Sequence, residues 1–350
     1  MKIAFFALNQ NFCGSILEEL QSHHQVRVWK KRGHEPLDWA NLIGLIDWCD
    51  LIYCDFIQTP CPEITALDWL DKPLVARMDG IDIMNHVNVD WRKVTALILM
   101  PVQELRLSKL RGDWEKKNNR RLTKLPKIIK RWNIGIDLDL FEPNYDREPW
   151  YEIVLHSSVM RETKRVYTAL QVFDDLIRRD DKPWHLSLIG TWEGGWNWQN
   201  RKEYVMALHE LIDQFDFKIQ KAVIPGSYDS DERLSIIPNL DRNSWAASLT
   251  ERWDVIWGPS FREGFPNSIG EGAASGVWPL INRFYGAELI YPEENICRSP
   301  IELMEKTIAW GNLSTEEKIQ KKYFIRKHIE QYDRQRTARD VRLLCEELVK

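Results

Sequence analysis

Residues 251–286, ERWDVIWGPSFREGFPNSIGEGAASGVWPLINRFYG, constrain the fold of this chain more than any other stretch. In residues 254–257 Asp254 leads into the apolar Val255, Ile256 and Trp257, two of them β-branched, and Gly258-Pro259 bounds the run, which suits a buried strand of a parallel sheet. Glu263 falls just past the carboxyl end of that strand, where open α/β sheets place their ligands, and Gly264 and Pro266 shape the turn. A helix start follows, with Asn267 or Ser268 as the expected cap. Gly270, Gly272, Ala273, Ala274 and Ser275 are small enough to let this helix approach the sheet closely. The free amides and positive dipole end of such a helix suit a phosphate, and Glu271, one turn in, lies near whatever the phosphate carries.

The rest of the chain repeats the strand and helix alternation of this stretch. Strand-like runs occur at 3–8, 26–29, 51–54, 74–77 and 95–100, and again at 152–156, 185–189, 217–223, 235–237 and 278–281. Helical segments separate several of them, among them 16–20, 167–178 and 202–215, so βαβ units and parallel sheets are expected. At 350 residues there is length for two domains, each with its own core. The first loop, after residue 8, has only Gly14 and no G-x-G-x-x-G pattern, which argues against a nicotinamide or flavin enzyme. Six cysteines show no CxxC pair and no zinc-like spacing with histidine, so reduced structural thiols are expected.

The net charge of −4 names no polyanionic partner, but its distribution is uneven. Between Arg106 and Arg131 lie eleven basic residues, Arg106, Lys109, Arg111, Lys116, Lys117, Arg120, Arg121, Lys124, Lys127, Lys130 and Arg131, against two acids, Asp113 and Glu115. Such a patch suits an anionic membrane surface or a phosphorylated lipid acceptor, and it also reads as a solvated face. Nucleic acid is the weakest partner, since no binding module accompanies the patch and Trp114 and Trp132 are too sparse for a stacking platform. The opening apolar run is too short for a signal peptide, and no stretch has the roughly 18 apolar residues of a spanning helix. A cytoplasmic protein, at most peripheral on a membrane, is the expectation.

Glu263 and Glu271 enclose seven residues, with Pro259-Ser260 before them and Ala273-Ala274-Ser275-Gly276 after them. Together they resemble the donor-binding signature of the retaining glycosyltransferases of family 4, which have the GT-B fold. Farther back, Asn133, Gly135, Asp137, Phe141 and Pro143 resemble the end of that family's first domain. The resemblance implies two Rossmann-like parallel-sheet domains facing a cleft, an acceptor-side domain at 1–145 and a nucleotide-sugar domain at 146–328. It also implies a terminal helix, 329–350, crossing back to the first domain. Asp137-Leu138-Asp139 looks like a metal-binding DxD. In this context it reads as linker, and neither metal nor cofactor is expected, the donor being a UDP-, GDP- or ADP-sugar.

By the same resemblance Glu263 faces the donor sugar, Glu271 the ribose, and Gly264, Phe265, Pro266, Asn267 and Ser268 the diphosphate. Lys164 matches the family lysine that faces the diphosphate. Val159 stands where the family has an arginine, so Arg161 or Arg165 would have to supply the second cation. Gly190 opens a second glycine loop, 190–195, with Trp192, Trp196 and Trp198 near it, and Gly14 lies in the first. Asp79 takes the place of a common histidine and could orient an acceptor hydroxyl or take its proton. Other readings stay open: Ser268-x-x-Glu271 is also a capping box, Glu263 a loop acid paired with Arg262, Lys164 a helix-start lysine, and Asp79-Gly80 a turn. The implied reaction is retaining, metal-independent glycosyl transfer to a hydroxyl of a glycan, lipid or protein without an enzymic nucleophile. A catalytically degenerate GT-B scaffold that binds nucleotide or glycan is the alternative.

Overall fold

The structure, a computed structural model, describes residues 1–7, 13–30, 37–78, 80–133, 135–194, 198–221 and 232–350. The chain divides into two compact units, one of Met1–Gly135 with Tyr332–Lys350 and one of Ile136–Gln331.

In the first unit the apolar runs form strands β1 (Lys2–Ala7), β2 (Gln25–Lys30), β3 (Leu51–Asp55), β4 (Leu74–Met78), β5 (Ala96–Leu99) and β6 (Ile128–Arg131). They pair in the order β2-β1-β3-β4-β5-β6, all parallel. Helices α1 (Gly14–His23), α2 (Trp39–Trp48), α3 (Cys61–Thr65) and α4 (Pro101–Asn118) connect them. Strands β3, β4 and β5 are buried at every position, as the near-continuous apolar runs of a sheet covered on both faces require.

The second unit carries β7 (Glu152–Val159), β8 (His185–Thr191), β9 (Lys218–Lys221), β10 (Glu232–Ile237), β11 (Val255–Gly258), β12 (Trp278–Asn282) and β13 (Ile296–Cys297). Their order is β13-β12-β11-β7-β8-β10-β9, again parallel. The helices are α5 (Val166–Arg179), α6 (Lys202–Ile212), α7 (Arg242–Glu251), α8 (Asn267–Ala274), α9 (Pro300–Gly311) and α10 (Thr315–Ile329). The tryptophan load goes mostly into packing: Trp184, Trp253, Trp257 and Trp310 are all buried in this unit.

Helix α11 (Arg334–Val349) returns to the first unit. Its apolar stripe of Ala338, Val341, Leu344 and Cys345 joins the cluster that holds Ile16 and Leu20 of α1. Arg342 then bridges Glu19, at 2.8 Å, and Glu346, at 2.7 Å. All six cysteines are buried, and none of them forms a disulfide. No helix among the described residues is long and apolar enough to cross a membrane.

Candidate active site

In the second sheet the chain begins in the middle, at β7, builds outward through β8, and crosses back to place β11 on the other side. Connections leaving the carboxyl ends of β7 and β11 therefore diverge, and the gap between them is where doubly wound sheets bind ligands. A pocket of about 360 Å³, open mouth included, occupies that gap. His156 of β7, Lys164, and Ser260, Glu263, Pro266 and Ser268 from the segment after β11 line it.

Lys164 and Glu263 meet there, Nζ to Oε1 at 2.5 Å, with about a fifth of the lysine side chain and 15% of the glutamate side chain exposed. Arg262 is not the partner of Glu263 in this pair. An ion pair that water still reaches is worth little net, so a charged ligand can replace either partner at small cost.

Helix α8 starts differently from the expectation of an Asn267 or Ser268 cap. Pro266 is the N-cap residue, and no side chain caps the helix. The extended backbone of Pro266 places Asn267 already in the helix, and a proline has no side-chain acceptor to offer the first amides. The amides at this start are therefore left for solvent or a ligand, and the Asn267 Oδ1 is buried without a hydrogen-bond partner among the described residues. The other end is closed by a Schellman arrangement: Gly276, at φ 78°, donates to Ala273 O (3.1 Å) and Val277 donates to Gly272 O (2.9 Å).

Glu271 does not reach back to close a capping box. Its Oε2 accepts a 2.9 Å hydrogen bond from the indole Nε1 of Trp245 on α7. Desolvation pushes the Glu271 carboxyl above the ordinary range, against the Trp245 bond and the charge of Arg242, while nearby Asp137 adds to the rise. Trp245 also lies against the His156 ring, centroids 4.7 Å apart, and so links Glu271 to the pocket wall. His156 is driven down to about 4 by burial and then by Lys164, which leaves a neutral imidazole at neutral pH. Asp137 accepts from the Leu140 amide at 3.3 Å and pairs with Arg242 at 3.3 Å.

The other expected site residues are spread more widely. Gly264 and Phe265 continue the loop, with Phe265 buried under Gly270. Arg161 precedes the 3₁₀ turn Glu162–Lys164, and Arg165 follows it in the left-handed region at φ 51°. Neither guanidinium lines the Lys164 pocket among the described residues. Arg165 instead lines a separate hollow with Pro259, Asn282 and Ser299. Gly14 begins α1 in the first unit, while Asp79, Gly195 and Trp196 lie outside the described residues.

Gly190 ends up where β8 passes β7 so closely that a Cβ would sit 1.8 Å from Ser157 O. It borders a wider cavity of about 840 Å³, open mouth included, at the carboxyl ends of β8 and β10. Thr191, Trp192, His209 and Asn239 line this cavity. The Trp192 and His209 rings lie 5.2 Å apart, and the buried Trp192 Nε1 has no hydrogen-bond partner among the described residues.

Sequence reasoning missed Trp245, Arg242, His156 and His209. For Trp245 a signal existed in Asp241, whose carboxylate caps α7 by accepting the Asn243 and Ser244 amides, with Trp245 and Leu249 following at helical spacing.

No protein-family model and no curated protein matches the sequence. Solved structures do match. A sucrose-phosphate synthase from Thermosynechococcus elongatus is 14% identical with a TM-score of 0.68, covering 99% of both chains. A trehalose-6-phosphate structure from E. coli that holds UDP-2-fluoro glucose is 10% identical with a TM-score of 0.71, covering 100% of this chain and 99% of that one. A UDP-forming α,α-trehalose-phosphate synthase from Burkholderia xenovorans is 12% identical with a TM-score of 0.67, covering 98% of each. These neighbours are GT-B glycosyltransferases, and the chain has the GT-B fold.

Proposed function

We propose that this protein is a glycosyltransferase that moves a sugar from a nucleoside diphosphate sugar to an acceptor hydroxyl, with retention at the anomeric carbon and without a metal. The observation that carries this reading is the convergence, at the switch point of the second sheet, of an exchangeable Lys164–Glu263 pair with an uncapped helix start. Related folds carry UDP-2-fluoro glucose and UDP-forming synthases, which supports a sugar nucleotide as donor.

The difficult step is departure of the diphosphate while positive charge grows on the sugar. Lys164 and the first amides of α8 offer electrostatic stabilisation to that leaving group. As the diphosphate takes Lys164, Glu263 is released to accept hydrogen bonds from the donor sugar. Glu271, aimed by Trp245, takes ribose hydroxyls, and the cavity of Trp192 and His209 takes the base. The neutral His156 adds no charge to compete for the diphosphate. No enzymic nucleophile is assigned: the departing phosphate oxygen takes the acceptor proton on the same face.

Val159 at the usual arginine position favours a second reading, a GT-B protein that binds its nucleotide without turnover. Incubation with UDP-, GDP- and ADP-sugars, followed by NMR of the released sugar, separates the two. Slow donor hydrolysis, absent in Lys164→Ala, supports the enzyme. Saturable donor binding with no release from any donor favours the scaffold.

A further inference from the structure

The basic stretch in the first unit takes no part in the donor chemistry, and its surroundings show what it fits. The first half of α4 packs on the sheet through Val102, Gln103 and Leu107, but from Ser108 to the helix end no residue is buried. Asn119, at φ 46°, ends the helix, and the chain turns back along it. Three hydrogen bonds hold the returning segment: Arg111 Nη2 to Thr123 O (2.5 Å), Leu122 N to Glu115 Oε1 (2.8 Å) and Trp91 N to Thr123 Oγ1 (3.1 Å). Leu110 and Leu125 pack against the core of the unit. Helix and return segment are thus fastened by Arg111, Glu115 and Thr123 together with apolar groups, and most of the other cations are left outside.

Lys109, Lys116, Lys117, Arg120, Arg121, Lys124 and Lys127 are all exposed, with no ion pair to an acid among the described residues. Lysines in a last helical turn are ordinary complements to the helix dipole, which accounts for Lys116 and Lys117. It does not account for Arg120, Arg121, Lys124 and Lys127 beyond the helix. An ordinary solvated face mixes signs, but here Glu115 is spent on the Leu122 amide and Glu104 on Arg131, leaving Asp113 as the exposed acid. Because the whole chain is at −4 and residues 106–131 carry eleven bases against two acids, or +9, the rest of the chain carries a net −13. A patch of that sign on a chain of the opposite net charge favours approach to an anionic plane through the patch.

We propose that this face of α4 and its return segment docks the protein on an anionic lipid surface. A lipid plane fits better than nucleic acid for two reasons. Five of the seven cations are lysines, compact point charges suited to a diffuse field rather than to bidentate readout. The nearby aromatic faces are also taken: Trp114 is half-buried, and Lys130 lies over the Trp132 ring at 5.7 Å. The proposal is independent of the donor chemistry.

The test is co-sedimentation of the full chain with vesicles of phosphatidylcholine alone and of phosphatidylcholine mixed with phosphatidylglycerol, at low and at high salt. A second arm measures binding to single- and double-stranded DNA in the same buffers. The variant is Lys116→Glu with Lys117→Glu, Arg120→Glu and Arg121→Glu, which touches neither core nor donor site. Its melting temperature and circular dichroism report folding. Binding to the mixed vesicles only, lost at high salt and weakened roughly 100-fold or more in the folded variant, is expected. Equal binding to both vesicle types, no binding to either, an unaffected variant, or tighter binding to DNA than to the mixed vesicles would each overturn the proposal. If the quadruple variant does not fold, Lys124→Glu with Lys127→Glu is read in its place, with a smaller loss of the same kind expected.

Discussion

The two sheets treat charge at their carboxyl ends in opposite ways. In the first unit Asp55 ends β3 and Arg77 lies near the end of β4, and the two are joined by two hydrogen bonds, Nε to Oδ1 at 2.5 Å and Nη2 to Oδ2 at 2.9 Å. Both are almost fully buried, under the ring of Phe56 at 5.1 Å. In the second unit Lys164 and Glu263 make a pair of equal length, but water reaches both. A desolvated bidentate pair has no cheap alternative partner, whereas a part-buried, single-contact pair that water reaches exchanges partners more readily. The same ion-pair chemistry therefore gives a structural rivet in one unit and a water-accessible pair, open to exchange, in the other.

The strongest way to break this comparison is at the rivet. Arg77→Ala strands a buried carboxylate and should destabilise the protein by about 3–5 kcal/mol in urea unfolding. The parallel Lys164→Ala should cost less than about 1 kcal/mol. Similar losses for the two substitutions would mean that the pairs do not differ as described.

His156 gives the next largest effect, and it depends on pH. Its folded value of about 4 lies below the ordinary 6.5, so the unfolded chain takes up a proton first as pH falls. Its contribution is fully present above about pH 6.5 and is lost towards pH 4, at most about 3 kcal/mol. Asp254, buried and raised to about 6 by desolvation, acts in the opposite sense: it adds stability as pH falls from about 6 towards its ordinary 3.8. The readout is therefore the difference between parent and His156→Gln, which should widen in the variant's favour below pH 6. A difference that stays constant with pH contradicts the assignment.

Trp245→Phe keeps most of the buried ring but removes the Glu271 partner, and nucleotide affinity should fall about tenfold, near 1.4 kcal/mol. An unchanged Kd by calorimetry would detach Glu271 from the donor. The smallest effect is the most particular to an exchangeable pair. Glu263→Gln frees Lys164, so nucleoside diphosphate without sugar should bind about two- to fivefold more tightly while transfer is lost. Weaker binding would show that Glu263 orients Lys164 rather than competing with the ligand.

Much of this architecture was legible in the residues. Apolar, β-branched runs bounded by Gly, Pro or Asn located the strands, because a strand buried on both faces admits little else. The loop and helix of 258–276 were legible because their small residues answer to close packing: a Cβ on Gly272 would come within 3.0 Å of Ile256. What was hidden depends on contacts between segments far apart. Helix α7, RNSWAASLTE, has mediocre helix formers and a weak apolar stripe, and it owes its start to the Asp241 cap. Nothing local in Trp245 announces a bond to a glutamate 26 residues on. The Asn267 or Ser268 cap failed for the reverse reason: a sound local rule was overridden by the proline just before it. The second cation expected from Arg161 or Arg165 followed from proximity in sequence; among the described residues neither lines the Lys164 pocket, and Arg165 borders a separate hollow.

The central claim is that the second unit holds a nucleoside diphosphate against Lys164 and Glu271. It is tested most directly by thermal-shift titration of the purified protein with UDP, GDP, ADP and their sugar conjugates, with Lys164→Ala and Glu271→Ala alongside. At a hundred times its Kd a ligand adds about 2.7 kcal/mol, a readily visible rise in Tm. One nucleotide should raise the Tm of the parent and much less that of either variant. No shift with any nucleotide, or an equal shift in parent and variants, would contradict the account.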